Sequence, residues 1–225
     1  MTRPNALQSR HRGFTLIEMV VAMAIVGIMA GLSIAALSGL KKRGNFVSGT
    51  GDLLEGLRLT RAEAFSRQAP CIFIIDTVGN NWWSIVDVAN TFNLSTFAPA
   101  TPAPSPAILL ASGTLPTGVI FGPSTSPGGY GANYLPAPYG GIPGNTSTSP
   151  TYPYCTFCLS AGANAGFGSI SFYGAGSAVF SANNSSWIGH QFTIQSPQPG
   201  GSGLQTMTFA VVARTGASAT FESAQ

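Results

Sequence analysis

Charge is scarce in this chain. Only 8% of its 225 residues are Asp, Glu, Lys or Arg, with ten cations against seven anions. A net charge of +3 provides no broad basic surface of the kind that grips a phosphate backbone, so nucleic acid is not an expected partner. Histidine is rarer still, at His11 and His190, and His190 has no nucleophile or acid near it in sequence. The many serines lie in low-complexity runs without the G-x-S-x-G setting of a hydrolase elbow. No G-x-x-x-x-G-K phosphate loop occurs. Asp76 and Asp87 flank an expected hairpin, and nothing else in the sequence supports a paired-carboxylate site. The expectation is a chain with no enzymatic activity, no cofactor and no metal.

Cysteine is the next shortage. Cys71, Cys155 and Cys158 are an odd number, so a full disulfide framework is excluded. Cys155-Thr156-Phe157-Cys158 is a C-x-x-C, a spacing used for redox chemistry, for half a zinc site or for a small structural disulfide. Redox use places it at a helix start in a βαβ setting, whereas Pro150, Pro153 and Gly162 put this one in a loop. Zinc needs more ligands than the surroundings offer. A loop-pinning disulfide between Cys155 and Cys158 is the reading that fits. Cys71, in the run Cys71-Ile72-Phe73-Ile74-Ile75, reads as a small buried thiol.

Long apolar runs are absent with one exception. From Phe14 to Leu40 the single charged side chain is Glu18. That stretch exceeds the roughly 20 residues a helix needs to cross a bilayer core. A carboxylate there costs about 2.5–3.5 kcal/mol on insertion scales, so it calls for a partner. The run is too long for the core of a secretory signal and has no small-residue exit site before Lys41-Lys42-Arg43. Arg3, Arg10 and Arg12 precede it and three cations follow it, so charge alone leaves its orientation tied.

The string Arg12-Gly13-Phe14-Thr15-Leu16-Ile17-Glu18-Met19-Val20, behind a short basic leader, resembles the signal of type IV prepilins and type II secretion pseudopilins. That resemblance implies cutting by a prepilin peptidase between Gly13 and Phe14, N-methylation of Phe14, and a subunit-assembly role for Glu18. Phe14 and Glu18, four residues apart, share one helical face, so Glu18 could pair with the new amine of its own or a neighbouring subunit. The leader would stay in the cytoplasm and the bulk of the chain would lie outside. Loss of Arg3, Arg10 and Arg12 leaves seven cations against seven anions. Gly27 and Gly31 form a G-x-x-x-G spacing that permits close helix approach. Major pilins of this family often carry a proline where this chain has Ala35, so the resemblance leans toward a pseudopilin or minor pilin.

The rest of the chain supplies one modest core. Lys41–Gly51 is basic and glycine-rich. Asp52, with Glu55 three residues on, reads as a capping-box-like start, and Leu53, Leu54, Leu57, Ala64 and Phe65 roughly follow helical spacing through Arg67. Either a new helix starts at Asp52 or the first continues through the glycines, and Pro70 ends it. The family resemblance favours one long helix, broken or bent near Gly44–Gly51. A β-hairpin is expected from Cys71–Asp76, the turn Gly79-Asn80-Asn81 and Trp82–Val88. Further short strands are expected at Ile108–Ala111, Val119–Phe121, Ser169–Tyr173, Ala178–Ser181, Gln191–Gln195, Thr206–Ala213 and Ala217–Phe221. Two low-complexity loops, 98–106 and 122–166, interrupt them.

The stretch from Leu57 to Gln68 resembles the helix leading into the sheet of H-type pseudopilins and FimT-like minor pilins. Gly168–Phe172 with Gly174, and Val211–Gly216, resemble two of that family's strands. The expected fold is therefore α+β and pilin-like: leader 1–13, membrane helix 14–40, its continuation over 41–69, and an antiparallel β-rich head over 70–225. The resemblance implies a filament subunit held in the inner membrane before assembly, with its head in the periplasm, whose partners are prepilin peptidase and other pilins. Two alternatives stand beside it. One is a binding role, in DNA uptake or in adhesion through the loop bearing Tyr130, Tyr134, Tyr139, Tyr152 and Tyr154. The other is an uncleaved single-pass protein with a β-rich outer domain.

Overall fold

The structure is a computed structural model. It describes residues 14–122, 139, 142, 154–181, 188–198 and 203–224, with backbone alone at 32–36, 38, 223 and 224. The expected leader 1–13, and most of the loop 122–166 with Tyr130, Tyr134 and Tyr152, lie outside the described residues.

One helix, α1 (Leu16–Arg67), runs unbroken through Gly44, Gly49 and Gly51. The expected break in this region, and the alternative of a fresh start at Asp52, are both corrected. Contacts with the head hold the glycine-rich turns helical. Phe46 is buried, the Asn45 side-chain amide donates to the Thr117 carbonyl at 2.9 Å, and Gly49 lies against Pro116 and Val119. The helix stops at Gln68, whose φ of 53° is left-handed, two residues before Pro70.

Among the described residues nine strands follow: β1 (Cys71–Asp76), β2 (Asn81–Val86), β3 (Ile108–Thr114), β4 (Ile120–Phe121), β5 (Phe167–Phe172), β6 (Ala178–Phe180), β7 (Gly189–Pro197), β8 (Leu204–Val212) and β9 (Ser218–Ala224). Each expected strand is present. The largest differences are that β3 and β9 each run three residues further, to Thr114 and Ala224, and that β7 and β8 pair along their whole lengths, from Gly189↔Val212 to Pro197↔Leu204. The strands form two antiparallel sheets, ordered β3-β2-β1-β5-β6 and β4-β7-β8-β9.

The first sheet is covered on both faces, which explains why every residue of β1 is buried. Cys71, Phe73 and Ile75 point to α1, where Phe46, Leu53, Leu57 and Ala64 form its apolar stripe. Ile72 and Ile74 point the other way, onto Trp83, Ile85, Leu94 and Phe97. The proline-rich segment 98–106 belongs to this cover: Ala103 packs on that second cluster, beside Phe97. The buried Asn164 amide ties the cover down by donating to the Leu94 and Phe97 carbonyls at 2.6 and 2.9 Å.

The second sheet turns Phe121, Phe192, Ile194, Phe209 and Val211 into the same core as α1. Cross-strand partners Phe192 and Phe209 stack with centroids 4.7 Å apart. Phe157 fills the space between the sheets, fully buried against Phe180 and Phe192. The space is shaped for it, since a Cβ on Gly168 of β5 would stand 2.7 Å from the Phe157 ring.

Glycines in α1 divide by environment, and substitution separates them. Gly51 is exposed with open space around it, so Gly51→Ala should stabilise by up to about 1 kcal/mol through helix propensity. A Cβ on Gly56 would stand 2.7 Å from Trp82 and 2.9 Å from Phe73, so Gly56→Ala should cost about 1–3 kcal/mol. Urea midpoints of the two variants should move in opposite directions.

His190 generates a pH prediction. It is buried against Phe180, ring centroids 4.3 Å apart, and burial pushes its pKa from 6.5 down to about 4, a hydrogen bond with Thr156 opposing. The unfolded chain takes up this proton near pH 6.5, and the folded chain does so only near pH 4. Stability from this group is therefore complete above 6.5 and declines by up to roughly 3 kcal/mol as pH falls to about 4. Urea unfolding at pH 7.5 and 4.5 should show a smaller drop for His190→Gln than for the parent. Equal drops would refute the assignment.

Candidate assembly site at the start of the helix

The first half of α1 stands apart from the head. Every described side chain from Phe14 to Gly31 is exposed, with Phe14 at 81% and Leu16 at 82% of their full accessible surface. Gly27 and Gly31 have no atom within 4 Å of an added Cβ, so that side of the helix is open to close approach. Among the described residues, no helix is long and apolar enough to cross a membrane.

The helix start is built by two side chains. Thr15 is the N-cap and accepts from the Glu18 backbone N–H at 3.3 Å. In return the Glu18 carboxylate accepts from the Thr15 backbone N–H at 2.8 Å and from the Thr15 hydroxyl at 3.0 Å. This is a capping box: two otherwise orphaned N–H groups are satisfied reciprocally, and an anion sits at the positive end of the helix. The box was readable as Thr15-x-x-Glu18, but the sequence reading placed a capping box at Asp52–Glu55, which is mid-helix. Thr15 is thus the residue that reading missed. Gly13, the other half of the expected cleavage bond, lies outside the described residues.

The box fixes where the one carboxylate of the apolar run points. Glu18 is folded back onto the residue following Phe14, so its negative charge lies at the end of the helix where a cut before Phe14 would create an amine. The carboxylate is held by a hydroxyl and an amide and has no cation beside it among the described residues.

The other residues singled out by the sequence are structural. Cys155 and Cys158 are joined by a disulfide, Cα atoms 5.5 Å apart, and both are buried in the main core. Their turn is stitched to β7: Thr156 N–H donates to Gln191 C=O at 3.0 Å, and Thr193 N–H to Tyr154 C=O at 2.9 Å. Cys71 is a free, buried thiol whose pKa burial pushes up to about 11. Asp76 accepts from the Val78 and Gly79 N–H groups, and Asp87 from those of Thr91 and Phe92, so each carboxylate ties its own turn. Among the described residues no three His, Cys, Asp or Glu side chains gather as a metal site. Tyr139 packs edge-on against Phe221, and Tyr154 against the main core.

Residues 8–34 match the family model of the prokaryotic N-terminal methylation motif. No curated protein and no solved structure matches the chain. The match spans the expected cleavage bond, the capping box and the exposed apolar turns of α1. The match supports a prepilin-type methylation signal in this N-terminal segment.

Proposed function

We propose that this chain is a minor pilin or pseudopilin, a building block of a pilus or secretion filament and not an enzyme. Its place in the H-type and FimT-like group rests on the resemblance of the helix Leu57–Gln68 and of the strands near Gly168 and Val211. The observation that carries the proposal is the helix with two halves. Residues 45–67 pack against the head, while the methylation motif opens an exposed half whose one carboxylate is already positioned by Thr15.

Before assembly, residues 14–40 lie in the inner membrane with the leader in the cytoplasm and the head in the periplasm. Prepilin peptidase cuts between Gly13 and Phe14, and the new amine is methylated. In the bilayer an unpaired carboxylate is strongly unfavourable, so Glu18 draws the Phe14 amine of its own or a neighbouring subunit to it and sets the axial register. Extraction of the helix into a bundle with other pilins then leaves the two-sheet head on the outside. An uncleaved membrane anchor, the competing reading, retains Met1.

Two substitutions test this. Gly13→Leu should abolish processing, so intact mass of the extracted protein keeps residues 1–13 and no methyl group is added. A processed form persisting in that variant would move the cleavage site elsewhere. Glu18→Ala should still be cut, yet its share in sheared filaments should fall about tenfold or more, the loss expected when a buried charge pair is broken. Normal incorporation would remove the pairing role of Glu18.

A further inference from the structure

The exposed acidic and basic side chains on the head-packed half of α1 leave the helix in different directions. At about 100° per residue, the buried stripe Leu53, Leu57, Thr60 and Ala64 marks the direction of the core. Asp52 leaves the helix on one flank of that stripe and Glu55 on the outer face opposite it, whereas Arg58 and Arg61 leave on the other flank. All four are exposed. The arginine flank opens onto a cleft of about 640 Å³ that Arg58 and Arg61 share with Phe65, Gly176, Arg214 and Thr215, and no carboxylate lines it. Arg61 Nη2 donates to the Thr215 carbonyl at 3.0 Å, which holds its guanidinium over the turn between β8 and β9. Among the described residues the one ion pair is Arg67 with Glu63, so none there forms a salt bridge with Asp52, Glu55 or these three arginines.

We propose that the Arg58–Arg61–Arg214 cleft is a carboxylate-binding site, and that its occupant is the Asp52–Glu55 turn of a second, parallel copy of this chain. The proposal rests on the filament reading above, which makes neighbouring helices parallel. Guanidinium forks match carboxylates in geometry as well as charge. The acidic and basic pairs are offset by six residues, so a copy shifted by about 9 Å along the helix axis brings them level. Because the two patches differ and leave the helix in different directions, the contact is heterologous, and between parallel copies displaced along the axis it repeats as an open helix. A long polyanion suits the site less well. Affinity for a phosphate backbone grows with the number of charges neutralised, and only three cations line this cleft, with the carboxylates of Asp52, Glu55 and Glu63 on the same helix.

The test uses the full chain in a host with its prepilin peptidase, carrying two differently tagged copies. Co-purification of the tags after mild detergent extraction should fall about tenfold for Arg58→Glu/Arg61→Glu, and equally for Asp52→Lys/Glu55→Lys. Combining all four changes in every copy re-creates the complementarity with the signs exchanged and should restore at least half of the parental yield. No restoration, or no loss in either double variant, overturns the contact. Loss of retention on immobilised DNA with co-purification unchanged also overturns it and assigns the cleft to nucleic acid. Intact mass from the same samples keeps the two ideas separate. A parent uncut at Gly13 defeats the filament reading, whereas normal cutting and methylation with an indifferent charge swap defeats only the contact.

Discussion

The head depends on the seam where α1 meets both sheets. Leu53, Leu57 and Ala64 descend into a space walled by Phe73 and Trp82 on one side and by Phe192 and Phe209 on the other, with Phe157 between the sheets. Neither sheet buries its inner face without the helix, and the helix segment over the head has no partner without the sheets. At the centre of the seam the Thr60 and Ser84 hydroxyls meet at 2.7 Å, fully buried, while Thr60 also donates to the Gly56 carbonyl. Buried hydroxyls without partners are costly, so this pair fixes the rotation of α1 on β2 as well as its contact.

From that seam follows the division of α1. Its second half presents a conventional stripe, polar on the outside. The first half is mostly apolar, and its described side chains from Phe14 to Gly31 are all exposed. A helix that is apolar all round asks for surroundings of lipid or other helices. The capping box at Thr15 and Glu18 keeps this half wound from its first turn and leaves the carboxylate at the positive end of the helix. The exposed half and the head-packed half are thus one continuous helix.

Much of this was legible before any coordinates. The strand runs could be read because β-branched and aromatic residues cluster between glycine and proline turns, as in Cys71–Asp76 and Asn81–Val86. The long helix was legible in its two ends and misread in its middle. Gly44, Gly49 and Gly51 suggest a break by propensity, yet Phe46 and Asn45 bring tertiary contacts worth more than the helix cost of the glycines. The C-x-x-C was legible as a small disulfide in a loop, but not as the knuckle that drives Phe157 into the core. Nothing in the local pattern says that Gly168, far along the chain, leaves room for that ring.

What was encoded locally is the motif. Gly13, Phe14 and Glu18, followed by an uninterrupted apolar run, carry the methylation-type signal, because hydropathy and short-range spacing need no knowledge of the fold. Partition into two sheets, by contrast, depends on which distant strands pair, such as β1 with β5 and β7 with β8. The same is true of the meeting of Arg58 and Arg61 with Arg214. Only the closing of the β8–β9 turn onto α1 brings residues separated by more than half the chain to one cleft. Local chemistry therefore states the signal at the start of the chain, and long-range packing decides what surface the head presents.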